Sequence, residues 1–181
     1  MEMDIGVVGA AIRHIGGESE YGLKELKRLE SEGRGTEFLG EGRVVLEAIR
    51  NTVIFDVSNE YHTLLGKLGL GPIHDPDAKG APSVNAGFIL QWLMQDLVKL
   101  NKLIRKVHDV CVAGSTSKAD TDRGLFAMLL QAVGTQMLRS YGALGRELEK
   151  MCTDNSASIR EGTGEDTRRI HWRPQCPDET M

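Results

Sequence analysis

The stretch that decides the fold is NAGFILQWLMQDLVKLNKLIRKVHDVCV, from Asn85 to Val112. It holds no proline, and its one glycine, Gly87, lies near the start. Leu90, Leu93, Leu97, Leu100, Ile104, Val107 and Cys111 recur at alternating steps of 3 and 4 residues. That spacing is the seam of a helix packed lengthwise on another helix. Ile89, Met94, Val98 and Leu103 widen the stripe, as in a central helix covered on more than one side. Asp96, Lys99, Lys102, Arg105, Lys106 and Asp109 leave a narrow, mostly basic strip for solvent.

Moving outward, Ala113 to Lys118 reads as a short polar turn, and Asp120 or Thr121 caps a second long helix ending near Cys152. Its seam is Phe126, Leu130, Val133, Met137, Tyr141, Leu144, Leu148 and Met151. A short connection between long helices makes them antiparallel neighbours. Gly134, Gly142 and Gly145 fall inside this helix. Each costs about 1 kcal/mol relative to alanine unless a neighbouring backbone approaches closely. The alternative is a break near Gly142.

On the other side, residues 69–83 carry three prolines and three glycines and read as a loop. Before it, Leu46, Ile49, Val53, Val57, Tyr61, Leu64 and Leu68 mark a long helix over about 41–68. Its middle, TVIFDV at 52–57, would pass alone for a strand, but the seam continues on both sides. Two short helices are expected before it. Ile5, Val8, Ile12 and Ile15 line the first, Gly16 and Gly17 break it, and Ser19 caps the second, which carries Leu23, Leu26 and Leu29. Gly33-Arg34-Gly35 ends that helix. The expected fold is all-α: two short helices in residues 1–36, a bundle of three long helices in 37–152, and a polar, flexible tail in 153–181.

Aromatics are only 5% of the 181 residues, so the core must be aliphatic, which favours helices over a β-sandwich. A net charge of −4 gives no general pull toward nucleic acid. No apolar run approaches the ~18–20 residues of a membrane span. Three cysteines without tight spacing imply no disulfide framework and an intracellular, cytoplasmic setting.

Chemical motifs fail at required positions. DIGVVGAA at residues 4–11 has two glycines where a dinucleotide fingerprint needs three. The Asp75–Gly80 loop has Lys79 and Ala86 where calcium ligands belong. His108 and Cys111 lie three apart on the central helix but lack partners for a zinc site. GSTSK, from Gly114 to Lys118, lacks P-loop spacing, although it precedes a helix N-terminus. No carboxylate falls in an apolar run that would raise its pKa. No catalytic, cofactor or metal residue is assigned.

Two clusters remain. Arg168, Arg169, Trp172 and Arg173 combine the residue types that anchor interfaces and mark the tail as a partner-binding segment. Lys99, Lys102, Arg105 and Lys106 are the residues that would meet phosphates. The leading expectation is a non-catalytic helical module that self-associates, acting as a structural or adaptor protein. The alternatives are a nucleic-acid coat or packaging protein, and a small enzyme with a pocket between helices.

Overall fold

The first helix follows one unbroken seam. Ile5, Val8, Ile12, Ile15, Ser19, Gly22, Leu26 and Leu29 alternate by 3 and 4, and all eight are buried. In the computed structural model, which describes residues 2–33, 36–67, 84–115, 121–153, 157–161 and 168–172, this is α1, Ile5–Ser31. The two short helices expected here are one. Gly16 and Gly17 do not end it, and Ser19 is not a cap: its buried hydroxyl donates to the Gly16 carbonyl at 2.7 Å. The true cap is Asp4, whose carboxylate accepts from the amides of Gly6 and Val7 at 2.9 and 3.3 Å. The far end closes on Gly33 at φ +70°, its amide donating to the Glu30 carbonyl at 3.0 Å.

The chain then runs through α2 (Thr36–Asn51), a π-helical turn (Thr52–Val57) and α3 (Ser58–Lys67) without a break. The expected helix over 41–68 is therefore continuous, and TVIFDV is helical. Its winding has a cause in the sequence. Ile49, Val53, Val57 and Tyr61 are spaced by four three times running. At 3.6 residues per turn, three such steps drift about 120° off one face. The wider π turn takes up that drift, and Ile49, Val53, Val57 and Tyr61 all stay buried.

α4 (Val84–Ser115) and α5 (Thr121–Thr153) form the expected hairpin. Leu90, Leu93, Leu97, Leu100, Ile104 and Val107 are buried, as are Phe126, Leu130, Val133, Met137, Leu144 and Leu148. Val98, expected to widen the seam, is exposed instead. α5 does not break at Gly142. Nor does a backbone approach its glycines: a Cβ at Gly145 would meet nothing within 4 Å, and one at Gly134 would reach only a Val107 methyl at 3.4 Å.

The described residues are thus nearly all helical and form four helical columns, where three long helices after two short ones were expected. α1 packs along α2 and α5, and α4 packs along α2–α3 and α5. Arg50 of α2 reaches Glu20 of α1 at 3.7 Å, and Arg43 reaches Glu30, so the two run antiparallel. Close approach occurs where the seam residues are small. A Cβ at Gly22 would lie 2.8 Å from Leu46 Cδ1. One at Gly42 would lie 2.8 Å from the ring of Phe126, itself fully buried. Among the described residues, no helix is long and apolar enough to cross a membrane.

A small sheet closes one end. β1 (Glu2–Asp4) pairs in parallel with β2 (Ala157–Glu161), which pairs antiparallel with β3 (Arg168–Trp172). The segment expected to be a polar tail thus supplies two strands, with Ile159 opposite Ile170. Met3 is fully buried at this end, and the Asp4 amide donates to Glu147 of α5 at 2.9 Å. The loop expected over 69–83 lies outside the described residues.

Gly42→Ala should lower stability by about 1–2 kcal/mol, because overpacking against Phe126 outweighs the gain in helix propensity. Gly145→Ala, in open space, should raise it by up to ~1 kcal/mol. Asp4→Ala should cost about 1 kcal/mol through the lost cap. Urea unfolding followed by circular dichroism measures all three.

Candidate functional site

The π turn places Asp56 and, one turn later, Glu60 on the side of the column that meets α4. Both flank buried seam residues, Val57 and Tyr61. Tyr61 fixes the turn from the other side: its hydroxyl donates to the Ile5 carbonyl of α1 at 2.9 Å. Across the seam, α4 presents Asp96 between Leu93 and Leu97, and Lys99 one turn on. Lys99 Nζ lies 3.8 Å from Asp56 Oδ2, both groups being well exposed. Such a pair contributes little. Glu60 differs. Its Oε2 is shut off from solvent and has no hydrogen-bond partner among the described residues. Burial first, then the Asp96 carboxyl and then the Asp56 charge hold the Glu60 carboxyl at about 8, against a usual 4.5.

A carboxyl that keeps its proton near neutrality is a group suited to donate or accept one. Catalysis requires converging partners as well. Among the described residues, no group of three or more histidine, cysteine, aspartate or glutamate side chains is placed to hold a metal ion. His62 is exposed and stacks at a tilt on Tyr61, with ring centroids 5.4 Å apart. His108 is exposed near Asp109 at 3.9 Å, and the side chain of Cys111 lies outside the described set.

The basic strip is in place on α4, and its members have different neighbours. Lys99, Lys102, Arg105 and Lys106 are all exposed. Lys99 faces Asp56. Lys106 borders an open groove between α2 and α4 together with Glu41 and Asp109. Arg105 turns toward α5, where it opposes the upward push of burial on the Tyr141 phenol. Of the tail cluster, Arg168, Arg169 and Trp172 lie in β3, and Arg173 is outside the described residues. The GSTSK turn falls largely outside them too.

What the structure adds is apolar surface. Val44 on α2, Phe55 in the π turn and Trp92 on α4 are 66%, 65% and 54% exposed. Val44 joins Val45 and Val110 in the α2–α4 groove. A second open groove, between α1 and α5, carries exposed Tyr21 and Met128. Sequence reasoning missed Glu60. The available signal was its spacing of four from Asp56, which puts two acids on one helix face beside a buried seam. No protein-family model, no curated protein and no solved structure matches this chain.

Proposed function

We propose that this is a non-catalytic helical protein that works through protein–protein contacts, self-associating over the face formed by α2, the π turn, α3 and α4. The observation that carries the reading is the exposure of Val44, Phe55 and Trp92 on these adjoining elements. Isolated exposed apolar residues are ordinary. Three large ones on neighbouring helices, with a valine-lined groove beside them, make a surface of the kind that partners cover. An aromatic pair suits such a role, since tryptophan and its like bury much area at little entropic cost. A second copy is the simplest partner, because a two-fold interface uses one patch twice. The three cysteines, without disulfide spacing, keep the expected setting intracellular.

Sedimentation equilibrium from micromolar to hundreds of micromolar protein should show mass rising with concentration. Phe55→Glu and Trp92→Glu should each weaken association by about tenfold or more, consistent with the loss of a buried aromatic anchor, while leaving the helical circular dichroism unchanged. A protein that stays monomeric throughout that range overturns the reading.

A further inference from the structure

α1 and α5 run antiparallel, and their register brings a serine, a histidine and a glutamate together. The Asp4 amide meets Glu147, and further along α1 a Cβ at Gly22 would touch Val133. Between these contacts, His14 Nδ1 of α1 and Ser140 Oγ of α5 are hydrogen-bonded. Glu18 follows His14 by one turn, on the same face of the helix. Its Oε1 lies 3.6 Å from His14 Nε2. The imidazole is half exposed and open to a reagent. Glu18 also lines the α1–α5 groove, with Tyr21, Met128 and Gln136. Gln136 precedes Ser140 by one turn of α5, so the groove ends beside the hydrogen-bonded pair. Its volume is about 550 Å³, within the roughly 300–1,000 Å³ of small-molecule sites.

Each imidazole nitrogen has its own neighbour, which sets the roles. The Glu18 carboxylate favours the proton on Nε2, leaving Nδ1 to accept from the Ser140 hydroxyl. A hydroxyl held by a base that a third group orients is the arrangement of an activated nucleophile. We propose that Ser140 is an acyl-acceptor site, taking one acyl group per chain from an activated ester whose acyl chain lies in the α1–α5 groove. Ser140 Oγ bonds to the acyl carbon, and the bond from that carbon to the leaving oxygen breaks. The hydroxyl proton passes to His14 Nδ1 and from there to the leaving oxygen. Glu18 balances the imidazolium in between. The fold limits the reaction to a single transfer. His14 and Ser140 lie in mid-helix, where main-chain amides are engaged with carbonyls four residues back. They are not free to hold an oxyanion, so the donor must carry a good leaving group, and the ester once formed resists hydrolysis. One transfer per chain is a modification and not turnover. α1 and α5 host it whether or not copies associate through α2 and α4.

The test is incubation of the full chain with p-nitrophenyl butyrate, following p-nitrophenol release by absorbance and the labelled residue by peptide mass spectrometry. One equivalent should be released per chain, with the butyryl group on Ser140. Ser140→Ala should abolish that release. His14→Gln, which can hold the serine hydroxyl but cannot take its proton, should slow it by about a hundredfold or more. Glu18→Gln should lower the maximal rate a few-fold, on the scale of one exposed ion pair, and leave the half-saturating ester concentration unchanged. Circular dichroism should be the same for all three variants. p-Nitrophenyl acetate should react roughly tenfold more slowly, relative to its rate with free imidazole, for want of two buried methylenes. Acyl groups on lysines or on His14 in place of Ser140, or a Ser140 rate that His14→Gln leaves as it was, overturn the assignment. Equal relative rates for the two esters overturn the role of the groove.

Discussion

Close approach between α1, α2 and α5 is the constraint on which the bundle rests. Two glycines make it. At Gly22 a methyl group would strike Leu46 of α2 and touch Val133 of α5, so one small residue serves two interfaces. At Gly42 the ring of Phe126 fills the space a side chain would take. Interiors pack like crystals, and a single methylene there is felt. If α1 stood off by a side chain at Gly22, its seam would lose contact with α2 and α5 together. These two empty positions let the columns approach closely at α1–α2–α5 and at α2–α5.

The π turn is the second consequence of fitting side chains to a seam. A regular helix would carry Val57 and Tyr61 round toward solvent, away from Ile49. Widening one turn keeps them in line, and Tyr61 then reaches the Ile5 carbonyl at the start of α1. The same widening turns Asp56 and Glu60 toward α4. The acids in the seam are thus a by-product of a winding chosen by Val53, Val57 and Tyr61. Glu60 is held there by its neighbours' packing, against its own hydration.

How much of this was legible follows from what each signal requires. The α4 and α5 seams were plain because every seam residue is large and apolar. The α1 seam was equally regular, but Ser19 and Gly22 occupy two of its places. A small residue reads as a breaker, although here smallness is what lets Leu46 in. The excess spacing from Ile49 to Tyr61 was visible as three steps of four, and its meaning lay in turn geometry. Glu60 was harder. Its neighbour Asp56 can be read from spacing, but Asp96 faces it only once the register between α3 and α4 is known. The strands were beyond reach for the same reason. β2 pairs with residues 2–4 at the opposite end of the chain, and no local pattern in Ala157–Glu161 points there.

The acids and the exposed aromatics are not independent. Phe55 precedes Asp56 directly, and Trp92 lies four residues before Asp96, on the same side of α4. Any surface laid over Phe55 and Trp92 strips water from the neighbourhood of the carboxyl pair. Desolvation disfavours the charged form, so such a contact raises the proton affinity of Glu60 further. Linkage is reciprocal: a contact that tightens the hold on a proton is itself tightened by that proton. A partner laid over the aromatics and a proton held on Glu60 would therefore favour each other.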